Sequence, residues 1–143
     1  MPTATQLPDL DALIVTGGFH HEMPSTTPKP TVALDLRDFL ADPAHVPSGE
    51  MLNRTGLDAD VADFVFATTG ARPLVANTVQ LVAGMAAVKQ VVVWVRCAGG
   101  KHRAAAVGQA IHDQLERLGL QVAVWHLHVD LDRVIRPDEL VAV

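Results

Sequence analysis

Residues 91–120 read VVVWVRCAGGKHRAAAVGQAIHDQLERLGL, and this stretch decides the fold. A β-branched apolar run, Val91, Val92, Val93, Trp94 and Val95, stops at Cys97. The pair Gly99 and Gly100 follows, then the basic triplet Lys101, His102 and Arg103. An alanine-rich segment comes next, with Val107, Ile111, Leu115 and Leu118 at helical spacing, and Gly119 where a helix ends. Strand, glycine loop, cations and helix start form the order that builds an anion site. The first helical amides have no internal partner, and the helix dipole adds partial positive charge there. Glycines allow a loop to curl its amides inward. Arg103 supplies a fork that matches a phosphate or carboxylate. The competing reading is a tight strand-to-helix turn in which the glycines serve only the backbone.

Outward from this unit, residues 12–16 (ALIVT) read as a buried strand ended by Gly17 and Gly18, and residues 31–36 as a short strand. A proline-rich loop, 20–30, joins them. Residues 38–55 form a long irregular connection. Thr55 and Asp58 open a helix over 59–67, with Val61, Phe64 and Val65 on one face. Gly70 ends it, and Pro73 starts a second helix over 74–88. Helix 101–118 and strand 121–127 complete the series. The expected fold is α/β: a small open sheet of about four strands with helices packed on it, in a single layered domain. The expected division is an N-terminal arm, 1–11, and one domain, 12–143. The last β-α-β unit calls for a right-handed crossover.

With 143 residues and nearly half of them hydrophobic, the chain supports one sizeable core. Its net charge of −5 argues against a nucleic-acid binder, which usually carries a basic excess. One cysteine excludes an internal disulfide and fits a reducing compartment. No signal-peptide pattern opens the chain, and the apolar run 74–88 is too short and too polar to span a bilayer. The expectation is a cytoplasmic protein without membrane contact.

Ligands of open α/β sheets gather at the carboxyl ends of the strands. Here those ends carry Gly17 and Gly18, Asp35 to Arg37, Cys97, Ala98 and the loop to Arg103, and His126 to His128. His102 either donates to a bound anion or caps the helix. Asp35 and Arg37 either pair with each other or contact a sugar hydroxyl and an anion. Arg54 and Thr55 precede a helix and either cap it or reach the anion. His45 and His126 complete the candidate set. The loop is not a Walker A motif, because the spacing fails and no hydroxyl follows Lys101. Cys97 and Arg103 share the Cys-x5-Arg spacing of cysteine-dependent phosphatases. Yet Ala104 stands where those enzymes place Ser or Thr, and Arg96 precedes the cysteine in place of His. His126 and His128, two apart on a strand, share one face, a His-x-His pair that can bind zinc with help from His20-His21. No carboxylate or cysteine completes a metal set, so neither metal nor cofactor is expected.

Taken together, the loop Cys97 to Arg103, the Thr55-Gly56-Leu57-Asp58 element, Gly18-Phe19 after the first strand, Asp35-Leu36-Arg37 and His126 resemble the C-terminal domain of the RapZ (YvcJ) RNase adapter family. The resemblance runs over residues 12–128. It implies a stand-alone version of a domain that, in full-length relatives, follows a P-loop domain. It implies self-association, small-RNA binding and a pocket for an amino-sugar phosphate, glucosamine-6-phosphate, built from the matching loops. Ala98 and Ala104 remove hydroxyls from that pocket, and Leu127 and His128 stand where relatives often carry Arg and Asp. The tail after Leu131 lacks the basic character that grips RNA. The expected function is a non-enzymatic domain that binds a phosphorylated metabolite, a sugar phosphate or nucleotide, and biases a protein partner or a homo-oligomer. An RNA adapter and a Cys97/Arg103 phosphatase are the alternatives.

Overall fold

The computed structural model describes residues 9–41 and 53–132. Among the described residues seven elements follow in chain order: β1 (Ala12–Gly18), β2 (Val32–Asp35), α1 (Ala59–Phe66), α2 (Ala71–Ala86), β3 (Val91–Cys97), α3 (Arg103–Arg117) and β4 (Val122–His126). The four strands form one parallel sheet in the order β2-β3-β1-β4. The fold is the expected α/β sheet in a single domain. β1 lies between β3 and β4, so the last β-α-β unit crosses over a strand.

Pleating sends alternate residues of β1 to opposite faces. Ala12 and Ile14 meet the helices, in a core with Val93 and Val95 of β3, Val65 of α1, Val75, Val79 and Val82 of α2, and Val107, Ile111 and Leu115 of α3. Each fully buried Val, Leu or Ile there contributes about 1.5–3 kcal/mol. Leu13 and Val15 face the other way and pack with Val92, Trp125 and the half-buried Trp94. No described helix covers this second face. The segment 19–31 crosses it as a strap: Met23 packs into the cluster, Trp94 Nε1 donates to the Pro28 carbonyl (2.9 Å), and Thr31 N donates to the Val92 carbonyl (2.8 Å).

Several boundaries differ from the sequence reading. β1 includes Gly17 and Gly18 in place of stopping at them, because both pair with β3. α2 begins at Ala71, with Gly70 as its N-cap at φ +88°, so Pro73 sits inside the first turn, where no amide is needed. α3 begins at Arg103, after His102 breaks helical geometry (φ −111°, ψ −80°). Leu118, the C-cap of α3, continues the helical spacing and its amide still donates to the Gln114 carbonyl (3.2 Å), yet its side chain is 53% exposed. Gly119 takes the expected left-handed turn at φ +91°.

Candidate anion-binding site

The loop after β3 is shaped by one backbone and one sulfur. Gly100 adopts φ +75°, a conformation closed to most side chains, and turns the chain toward α3. Its backbone rests against the end of β1. A Cβ on Gly18 would lie 2.6 Å from Gly100 N, and one on Gly100 would lie 2.6 Å from Gly18 N. The Cys97 thiol is buried beneath the turn and accepts from the amides of Gly100 (3.2 Å) and Ala104 (3.4 Å). Phe19 N and His20 N donate to the carbonyls of Cys97 (2.9 Å) and Ala98 (3.0 Å), so β1 and the loop leave the sheet together. Among the described residues, the amides of Gly99 and Lys101 enter no hydrogen bond of the chain.

The Thr55-to-Asp58 element locks onto this loop. Gly56 N donates to the Lys101 carbonyl (2.9 Å), and a Cβ on Gly56 would lie 2.6 Å from Ala106 N. Asp58 is the N-cap of α1, and its carboxylate accepts from Thr55 N (2.8 Å). The Thr55 hydroxyl accepts from Leu57 N (3.2 Å). Thr55 and Asp58 therefore fix the turn that leads into α1, while Asp58, not Thr55, is the N-cap and makes no side-chain cap hydrogen bond. Arg54 forms an exposed ion pair with Asp60 of α1.

Arg103 is 5% exposed and runs under the loop to the exit of β2. Its Nη1 donates to the carbonyls of Leu36 (3.0 Å), Arg37 (3.0 Å) and Phe39 (3.4 Å). It clamps a turn that continues into Leu40, which holds φ +64° without being glycine. This edge of the fork is committed to the chain. Lys101 Nζ donates to the Leu131 carbonyl (3.2 Å), which ties the loop to the segment after β4.

At the β2 exit, Asp35 and Arg37 hold each other. The Arg37 Nε and Nη2 donate to the Asp35 carboxylate at 3.0 and 2.7 Å, and Arg37 N adds 3.0 Å. The Arg37 side-chain hydrogen bond, above all, holds the Asp35 carboxyl below its ordinary pKa. Both side chains are about half exposed, so solvent screens the pair and it adds little to stability.

The two strand-end histidines go separate ways, against the expectation that they share a face. β4 ends at His126, whose Nδ1 meets the Thr16 hydroxyl (2.8 Å) and whose Nε2 meets Gln109 Oε1 of α3 (2.9 Å), both on the helical side. Gln109 Nε2 donates to Asp113 (2.9 Å), which turns its carbonyl toward His126 and makes His126 Nε2 the donor. His128 lies past the strand on the strap side. Its Nδ1 accepts from Gly18 N (2.8 Å), and its Nε2 meets the Glu22 carbonyl (3.0 Å). An amide only donates and a carbonyl only accepts, so His128 is neutral with its proton on Nε2. Burial pushes both imidazoles below their ordinary pKa, His126 helped by nearby His112. The His21 ring packs at 4.9 Å from that of His128.

The fold thus gathers Cys97 to Arg103, Thr55 and the carbonyls following Asp35 into one interlocked cluster. The parallel register places Asp35 beside Arg96, Gly18 beside Cys97, and Thr16 beside His126. Arg54 is drawn toward α1, and His126 lies on the Thr16–Gln109 line. His45 lies outside the described residues. Sequence reading weighs His128 only as a metal ligand beside His126 and gives the Phe19 and Arg96 side chains no role in a site. The pattern offers one signal for them, their position at strand ends. A groove of about 480 Å³ opens between β2 and the start of α2, lined by Ala33, Phe39, Leu40, Pro73 and Leu74, and it meets the cluster at Asp35 and Leu36. Among the described residues, no three of His, Cys, Asp and Glu are placed to hold a metal ion, and no helix is long and apolar enough to cross a membrane.

Residues 11–130 match the sequence profile of the RapZ C-terminal domain. A nucleotide-binding protein of Cutibacterium acnes is 40% identical over 101 residues, covering 66% of this chain and 34% of the relative. Nucleotide-binding proteins of Anaeromyxobacter dehalogenans and Streptomyces coelicolor are 30% and 31% identical over 127 residues each, covering 85% of this chain. The chain spans about two fifths or less of the length of these curated relatives, 34%, 41% and 40%. With the profile matched from the start of β1 to beyond β4, this chain belongs to the RapZ C-terminal domain family.

Proposed function

We propose that this domain binds a phosphorylated small molecule, a sugar phosphate or a nucleotide, in the loop from Cys97 to Arg103. One observation carries the reading. The chain turns at Gly100 into the N-terminus of α3, and the amides of Gly99 and Lys101 there serve no partner among the described residues. Such amides, with the helix dipole behind them, stabilise an oxyanion. Gly99, Gly100, Lys101 and His102 make the cradle in this reading. Arg103, Thr55 and Asp58 hold its shape, and Arg37, Arg54, His45 and His126 are candidates for the rest of the ligand. The relatives' name, nucleotide-binding protein, supports a phosphate-bearing ligand class, although it describes chains of which this domain covers a part.

Binding rather than turnover is favoured by the burial of the Cys97 sulfur, 3% exposed, where a phosphatase needs an open nucleophile. A protein partner, a second copy of the chain, and RNA are expectations brought by the family resemblance. The net charge of −5 argues against RNA. The test is a thermal-shift and amide-NMR screen with inorganic phosphate, glucosamine-6-phosphate and nucleotides side by side. A ligand raises the melting temperature with its concentration and moves the Gly99, Gly100 and Lys101 amides first. No shift at those amides with any phosphate compound removes the proposal.

A further inference from the structure

Arg96 is the last residue but one of β3, and pleating sends its side chain to the helix-free face. Its guanidinium lies 3.9 Å from the centroid of the Phe19 ring, and that of Arg37 lies 3.7 Å from the same centroid. Trp94, on the same face, stands 5.8 Å from Arg96. Across the strand register Arg96 faces Asp35, the nearest carboxylate in that register. Asp35, however, is engaged at both oxygens by Arg37. Two guanidiniums therefore share one aromatic ring, and the carboxylate beside them is taken by Arg37.

Among the described residues, Arg96 makes no side-chain hydrogen bond to the chain, and its Nε is sealed from solvent without an acceptor. Burial, with Arg37 nearby, depresses its pKa from the ordinary arginine value. A half-buried guanidinium is a rigid fork of donors that is costly to leave without acceptors. The ring that carries it belongs to Phe19, whose amide donates to the Cys97 carbonyl at 2.9 Å. The fork thus stands beside the base of the phosphate loop.

We propose that Arg96, steadied with Arg37 on the Phe19 ring, is an acid-binding subsite for a second anionic group of the ligand, a carboxylate or a further phosphate. The inference rests on the phosphate reading of the loop and narrows it: the natural ligand is a bis-acid. Simple phosphate monoesters, which carry no second acid and engage the loop alone, bind more weakly.

Calorimetry with ethyl phosphate, inorganic phosphate, phosphoglycolate and pyrophosphate tests it. In the wild type, phosphoglycolate or pyrophosphate binds about tenfold more tightly than ethyl phosphate, the scale of one ionic hydrogen-bonded contact. Which of the two gains more identifies the second acid. In Arg96→Gln that advantage disappears, while ethyl phosphate binding stays within about twofold. The wild-type Arg96 Nε resonance provides a reading independent of the variant's folding, and it shifts with the favoured bis-acid and not with ethyl phosphate. Equal affinity of mono- and bis-acids, or an Arg96 resonance that does not move, overturns the subsite alone. Failure of every phosphate compound to bind overturns the loop reading and this inference with it.

Discussion

Gly18 donates its backbone N–H to Nδ1 of His128, 2.8 Å away and 110 residues on in the chain. The other ring nitrogen meets the Glu22 carbonyl. One neutral imidazole therefore stitches the end of β1 to the strap and to the segment after β4, directly behind the contact between Gly18 and Gly100. Protonating Nδ1 sets a donor against a donor and breaks the stitch.

The consequence is a defined pH dependence. The folded-state pKa of His128 and of His126 lies below the unfolded value of 6.5. The unfolded chain therefore binds more protons than the folded chain as pH falls through and below about 6.5, so folding stability declines there and is fully present above it. Urea denaturation between about pH 5 and pH 8 reads this out. His128→Leu flattens part of the slope and, by leaving the Gly18 amide buried without an acceptor, costs about 1–3 kcal/mol at neutral pH. An unchanged slope in that variant shows that His128 does not titrate as described.

The close approach of Gly18 and Gly100 leads to a second expectation. An alanine at either position places Cβ within 2.6 Å of backbone nitrogen, and at Gly100 also adds a strained φ. Backbone cannot yield as a flexible side chain does, so Gly18→Ala or Gly100→Ala costs about 3 kcal/mol or more, or prevents folding. Gly84 is the control. It lies in α2, and a Cβ added there would meet nothing within 4 Å. Gly84→Ala stabilises by about 0.5–1 kcal/mol. Thermal melts of the three variants separate these outcomes.

Much of this arrangement is written locally, and the part that is not has a common cause. The run from Val91 to Cys97 and the Val107, Ile111 and Leu115 spacing announce β3 and α3, because burial of a period-two or period-3.6 pattern needs only neighbours in sequence. The glycine turn between them, with Gly100 at positive φ before α3, is legible for the same reason. Strand order is not local: β1 enters between β3 and β4, a fact set by packing across the sheet. The same holds for side chains whose partners are remote. Arg103 reads as a phosphate fork from its position, but its Nη1 meets carbonyls more than 60 residues away. His126 and His128 read as one face on the assumption that the strand continues. β4 ends at His126, and the two rings find Gln109 and Gly18 instead.

Arg103 is expected to act on binding through the shape of the loop. Arg103→Met removes a charged donor from three carbonyls in a buried setting, which costs about 1.5–3 kcal/mol in stability. It also loosens the turn at Leu40, which is held at positive φ. Affinity for inorganic phosphate falls with it, and the NMR shifts of the variant spread from the loop to residues 36–41. Shifts confined to the loop would instead mark Arg103 as a direct phosphate contact.

Cys97 separates a structural sulfur from a nucleophile. Its Sγ accepts from the Gly100 and Ala104 amides and is 3% exposed. Serine keeps an acceptor at this position, whereas alanine leaves both amides without one. Cys97→Ala therefore loses about 1–3 kcal/mol, and Cys97→Ser loses less. Phosphate binding follows the same order, because the two amides shape the cradle. The wild type turns over no aryl phosphate under this reading. Steady release of the phenol by the wild type, abolished in a folded Cys97→Ser protein that still binds phosphate, would instead establish thiolate attack at phosphorus and make the loop an active site.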